Sequence, residues 1–298
     1  MLTANSFKMA LVLPLLAVLL LSGCVGQGGT KVGEGVLIDD FSVDFPSVDS
    51  GEKVTLYLKV SNTGATEAKN VKADIAGIDV REWSGKTTES LGDLLPVDPQ
   101  FNTPGETQTR QFELRAPRLA KGLQLDYNPI VYVSYDYEAT AVKALTLVDI
   151  DELRRMMQQG RGPSVKTISS TGGPLSVEIQ TGEFVKTGSG SEAYNHFPLY
   201  ITLTNTKWES GGTVIPKTGI RGEDYPVDVT IELPSKLSAS DCKTRDTVDL
   251  WKGKSADITC DMSVTSPPQK REDALITVKM KYRYQIEAST SITVTGTR

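Results

Sequence analysis

The sequence predicts an all-β fold, with two antiparallel β-sandwiches in tandem joined by a short helix and a linker. Three observations carry this expectation. Short segments along almost the whole chain alternate apolar with polar residues, the period of a half-buried strand. A single stretch has helical periodicity. Landmarks of the first half also recur in the second: Asn62-Thr63 returns as Asn205-Thr206, and Tyr135-x-Tyr137 returns as Tyr282-x-Tyr284, at offsets of 143 and 147 residues. Two landmarks at nearly equal offsets point to a duplicated sandwich, against chance likeness between β-rich runs.

The division that follows is a leader at residues 1–23, a flexible tether at 24–35, a first sandwich at 36–148, a helix and linker at 149–173, and a second sandwich at 174–298. In the first sandwich, residues 36–45 place Leu37, Phe41, Val43 and Phe45 on one face and Asp40, Ser42 and Asp44 on the other. Ser50-Gly51-Glu52 turns the chain. Val54, Leu56, Leu58 and Val60 then alternate until Asn62-Thr63-Gly64, residues that tolerate positive φ, breaks the strand. Val71, Ala73 and Ile75 begin another strand, and Phe112 and Leu114 mark a further one at 108–116. Residues 130–137 and 141–148 read as a closing strand pair. Between these, Trp83 and residues 85–107, with Pro96, Pro99 and Pro104, read as a long exposed loop.

Residues 149–159 carry the helical pattern. Asp149, Asp151 and Glu152 lie at the start, Arg154 and Arg155 further along, and Gly160 at the stop. Ile150, Leu153, Met156 and Met157 share one face, which packs on a neighbouring domain or else docks a partner. Residues 161–173, rich in Gly, Ser and Thr, read as a linker.

In the second half, residues 175–184 alternate and a Gly/Ser turn follows at 187–191. The strand around Phe197, Leu199, Ile201 and Leu203 runs into Asn205-Thr206. A long loop at 207–225, holding Trp208, stands where the first half has its short turn. Strands follow at 227–233, 274–284 and 289–295. Cys242 and Cys260 enclose a loop of 18 residues. In an exported protein such a pair most often forms a disulfide, worth about 3 kcal/mol in the chain-entropy model, the alternative being two buried thiols.

The leader gives the compartment. Lys8 precedes 13 uncharged residues, 9–21, too few to make a good membrane span and interrupted by Pro14. Leu21-Ser22-Gly23-Cys24 resembles the lipobox of prokaryotic lipoproteins. That resemblance implies cleavage before Cys24, a lipid on its sulfur, and a protein anchored to the membrane on the extracytoplasmic side. Gly51-Glu52-x-Val54, Leu58-x-Val60-x-Asn62-Thr63-Gly64 and Ala68-x-Asn70-Val71 resemble the CARDB group of cell-adhesion-related Ig-like modules. This implies an Ig-like sandwich that binds or spaces at the cell surface without catalysis, and it leans towards an archaeal envelope. The long loop before Gln108 and the helical insert depart from that pattern.

Composition narrows the function further. With 37 acidic and 32 basic residues the formal charge is −5, which argues against nucleic acid as a partner. The single histidine, His196, has no Ser or Cys neighbour to make a nucleophile–base pair. Asp149-x-Asp151-Glu152 reads as an acidic helix start before it reads as a Ca²⁺ ligand set. Gly188-x-Gly190 lacks the strand–turn–helix setting of a phosphate loop. No catalytic residue, metal site or cofactor is therefore expected. The expected role is adhesion, envelope scaffolding or complex assembly through an envelope protein partner, with carbohydrate or another envelope polymer as the alternative ligand. Trp83 and Trp208, on loops at the sandwich ends, are the candidate partner-binding residues.

Overall fold

A computed structural model describes residues 33–162, 168–182, 184–188, 195–216 and 224–297. The leader, Cys24 and most of the tether lie outside these. In chain order the first half forms β1 (Val36–Val43), β2 (Ser47–Asp49), β3 (Lys53–Asn62), β4 (Ala68–Ala76), β5 (Ser84–Gly85), β6 (Thr88–Leu94), β7 (Thr107–Arg115), β8 (Gln124–Tyr127) and β9 (Ile130–Asp149). After the helix α1 (Ile150–Gln158) come β10 (Ile168–Ser170), β11 (Leu175–Gln180), β12 (Phe184–Thr187), β13 (His196–Asn205), β14 (Thr213–Val214) and β15 (Pro226–Glu232). The chain finishes with β16 (Leu237–Ala239), β17 (Arg245–Asp249), β18 (Ser255–Val264), β19 (Arg271–Ser289) and β20 (Ile292–Thr295).

The all-β double sandwich is present, and its duplication is written in the sheet order. One four-stranded sheet runs β1-β3-β7-β5 and the other runs β11-β13-β18-β16. Both lie over one nine-stranded sheet whose main path is β17-β15-β19-β9-β4-β6, which reads as two equivalent three-strand sets placed back to back. The register agrees as well. Asn62 pairs with Val36 as Asn205 pairs with Leu175. Thr63 N–H and hydroxyl both donate to Gly35 O, and Thr206 N–H and hydroxyl both donate to Pro174 O.

The joint differs from the sequence expectation. Residues 130–137 and 141–148 are not a strand pair but one 20-residue strand, β9. Along its length β9 pairs antiparallel with the 19-residue β19, from Arg271 opposite Val148 to Ser289 opposite Ile130. This ladder joins the halves; the helix and linker only carry the chain across. The C-terminal strand β20 then leaves the second half altogether. It lies between β2 (parallel) and β8 (antiparallel) of the first half, with Ile292 and Val294 buried. The chain boundary at 174 is thus no boundary of the body. Alternation reveals that a strand is half buried but not which strand it pairs with, so both features escaped the sequence. The buried apolar residues of the two halves form one continuous cluster.

The helix forms where expected. Asp149 caps it by accepting from Asp151 and Glu152 N–H, and Gly160 follows it at φ 66°. Leu153 is its buried residue, while Met157 remains exposed, so only part of the expected apolar face is covered. Cys242 and Cys260 form the disulfide, tying the chain after β16 to β18.

Candidate functional site

The repeat and the ladder together locate an axis. The repeat makes Tyr135 equivalent to Tyr282 and Tyr137 to Tyr284, whereas the ladder sets Tyr137 opposite Tyr282 and Tyr135 opposite Tyr284. Both hold only if a pseudo-two-fold axis passes through the paired residues Asp136 and Arg283. The four tyrosines surround this axis on the core face, with ring centroids 6.0 to 6.1 Å apart around the set. Tyr284 hydroxyl donates to Asn205 Oδ1 at 2.6 Å. Burial pushes the hydroxyl pKa values of all four upward, most strongly for Tyr135 and Tyr282. The hydroxyls of Tyr135 and Tyr282 approach the equivalent main-chain positions Val36 and Leu175 without reaching good hydrogen-bond geometry.

The repeated asparagines brace the same seam. Asn62 side-chain N–H donates to Thr66 O and Leu94 O, and its oxygen accepts from Gly64 N–H. Asn205 donates to Gly212 O and Gly253 O and accepts from Lys207 N–H. Each ties the end of a central strand to two loops, which explains why a polar residue is kept in an otherwise apolar core.

On the solvent face of the axis lies a cleft of about 840 Å³. Asp136, Glu138, Lys281 and Arg283 form its floor. Glu67 and Lys69 stand on one side, and Ile215, Pro216 and Asp228 on the other. Four carboxylates face three cations. Arg283 sits 3.9 Å from Asp136, Lys281 3.2 Å from Glu138, and Lys69 3.4 Å from Glu67. These exposed pairs add little stability, so the arrangement is better read as a patterned contact surface. Asn70, at φ 53° beside a register shift in β4, donates through its side chain to Asp136 Oδ2. A bulge holding an asparagine in the left-handed region re-aims a side chain at this one carboxylate. The wall carrying Ile215 and Pro216 comes from the long loop of the second half. The first half has only a short turn there, so the insertion breaks the symmetry and shapes the cleft.

The predicted site residues fall elsewhere. Trp83 is not a surface loop residue: it is 1% exposed and packs edge-on against Tyr127 at 5.2 Å. The stretch expected to be an exposed loop contains β6 at the sheet edge. Trp208 is half-buried against Tyr225, its ring 5.6 Å from Lys254 Nζ. Among the described residues the most exposed aromatic side chains are Phe101 at 79% and Trp251 at 72% exposure. They stand on equivalent loops, β6–β7 and β17–β18, the loops held by Asn62 and Asn205. Glu106 anchors the first of these: a hydrogen bond from Gln108, then one from Leu95 N–H, holds its carboxyl below the usual range. His196 is exposed, and among the described residues no group of three or more His, Cys, Asp or Glu could hold a metal ion. Sequence reasoning missed Asp136, Arg283 and Trp251. The first two were within reach, because they are the central residues of the repeated Tyr-x-Tyr landmarks.

No protein-family model and no curated protein matches the chain. Among solved structures, a Salmonella alpha-2-macroglobulin mutant aligns at 10% identity and TM-score 0.21, covering 88% of this chain and 23% of that one. The Enterococcus faecalis MSCRAMM ACE, which binds its ligands by the collagen hug model, aligns at 7% identity and TM-score 0.17, covering 89% and 97%. This chain spans under a quarter of the macroglobulin, and both likenesses are too low to carry an argument.

Proposed function

We propose that the chain is a non-catalytic contact protein of the cell envelope, held at the extracytoplasmic membrane face by lipid on Cys24. It acts as an adhesion, scaffold or complex-assembly module. The single observation supporting this most is the mixed-charge cleft on the pseudo-two-fold axis. Its floor is the pair of strands that joins the halves, so its charges sit on the long antiparallel ladder between β9 and β19. Alternating signs beside an apolar wall suit a protein surface bearing both charges, and suit a polyanion poorly. The fit of the leader to a lipobox supports the anchor, and the CARDB-like residues support an archaeal envelope.

The test is capture after cross-linking in native envelopes. Wild type should recover a defined protein partner, and Asp136→Lys with Arg283→Glu should lower recovery at least tenfold without changing Tm. Equal recovery by both would reject the cleft. Cys24→Ser should release the protein from membranes; retention would reject the anchor. A second reading, binding of a glycan or other envelope polymer, is favoured by Trp251 and Phe101, exposed aromatic tips of the sort that stack on sugar rings. Glycan binding that is lost in Trp251→Ala, with no protein partner recovered, would put this reading first.

A further inference from the structure

The described chain begins beside the most exposed apolar tip of the molecule. Gly33 N–H donates to Thr63 O at 2.6 Å, which puts the start of the described chain on the β3–β4 turn. The loop between β6 and β7 is held on that same turn. Val97 N–H donates to Gly64 O at 2.9 Å, Asn62 N–H donates to Glu106 O at 3.0 Å, and Glu106 N–H donates to Leu95 O at 3.0 Å. Residues 62–64 thus support both the base of this loop and the point where the chain enters the fold.

Beyond its base the loop is shaped by its own hydrogen bonds. Asp98 and Thr103 exchange main-chain hydrogen bonds at 3.0 and 2.9 Å, and Asp98 Oδ1 accepts from Gln100 N–H and Phe101 N–H. Phe101 stands at the tip, more exposed than any other large apolar side chain among the described residues, and Leu95 is 59% exposed at the base. Residues 99–105 carry no charge. The nearest carboxylates are engaged within the protein: Asp98 in the tip, Glu106 with Leu95 N–H and the Gln108 side chain, and Asp93 with Asn70 N–H. A turn that presents a phenylalanine and a leucine on an uncharged tip suits the boundary between lipid headgroups and acyl chains.

The length of chain before Gly33 identifies the surface this tip meets. Gly33 follows Cys24 by nine residues, and nine residues span at most about 30 Å however they run. A lipid on Cys24 therefore keeps Gly33 within that distance of the bilayer, and the β6–β7 loop with it. The second half provides the contrast. Its equivalent loop hangs on Asn205 in the same way, Asn205 N–H donating to Lys254 O at 2.7 Å, but the chain reaches that end from the body itself, through β10 and Thr171 on β9.

We propose that Phe101 and Leu95 dock in the lipid surface that holds Cys24, as a second attachment of the body beside the lipid itself. The proposal rests on the reading of Cys24 as the anchor and adds to it an orientation. One attachment fixes where the chain is held; a second fixes which way the body is turned. No residue of this loop lines the charged cleft, so the membrane contact and the partner contact are separable.

The test uses the full chain recovered with its lipid and reconstituted in phosphatidylcholine vesicles. A polarity-sensitive fluorophore is placed on Phe101→Cys or, separately, on Leu275→Cys, an exposed position of β19. The fluorophore at 101 should shift to the blue on reconstitution and be quenched at least twofold by lipids brominated in their acyl chains; the one at 275 should do neither. Without any label, amide exchange at residues 100–102 should slow at least tenfold on vesicles in the wild type and not in the Leu95→Ser, Phe101→Ser variant. A fluorophore at 101 that reports water while the chain sediments with the vesicles would overturn the proposal and leave the anchor standing. A chain that does not sediment with vesicles at all would overturn the anchor and the proposal together. Equal exchange in wild type and variant would overturn the proposal. So would a tip that stays in water but whose Phe101→Ala variant loses glycan binding, which would give the tip to an envelope polymer.

Discussion

Asn62 and Asn205 do the same work at the same place in each half, each closing a central strand against two loops from inside the core. Replacing either by Ala strands buried carbonyls and amides, and the expected loss is about 3 kcal/mol. Urea unfolding checks it, and a loss below about 1 kcal/mol would show that the loops are held by packing alone. The tyrosines around the axis make a pH prediction. Their folded-state pKa values are raised by burial, whereas in the unfolded chain they ionise near pH 10. Stability from this source is therefore intact below about pH 10 and is lost as pH rises beyond it. Tyrosinate absorbance from these four should appear only together with loss of β-sheet circular dichroism. Gradual ionisation in the folded protein would contradict their burial. The asparagines were visible in the sequence as a repeat, but their role was not, since a turn-forming Asn-Thr and a core-bracing one are spelled alike.

The strands themselves were legible, because alternation follows directly from one buried face. β3, with Val54, Leu56, Leu58 and Val60 all buried, and β13 are the clearest cases. What stayed hidden was partnership. β20 reads as an ordinary last strand, yet it lies between β2 and β8 of the opposite half. Val294→Asp should therefore destabilise the first half, with hydrogen exchange accelerating at β2 and β8 sooner than in β11, β13 and β18. Loss of protection confined to the second half would contradict the topology. Trp83 misled for a related reason. Pro96, Pro99 and Pro104 signal irregular chain in the stretch that follows it but do not say whether a large ring before them turns inward. The disulfide was legible from spacing and compartment, and Cys242→Ser with Cys260→Ser should cost about 3 kcal/mol. Unchanged stability would mean that the packing of β16 on β18 already holds that segment.

The molecule as a whole is one body whose two similar halves share a sheet and a buried cluster. Length and repeat announced two sandwiches. The repeated Tyr-x-Tyr landmarks, equivalent by sequence and facing each other across the ladder, turn out to mark the joint. The candidate cleft was out of reach at the sequence level because it exists only where the two halves share a sheet. Without that joint the Asp136–Arg283 pair would sit on two separate surfaces, and the proposed contact function would have no common floor. Scanning calorimetry tests this most directly. The account predicts one transition, with calorimetric and van't Hoff enthalpies equal; two resolved transitions, one for each half, would contradict it.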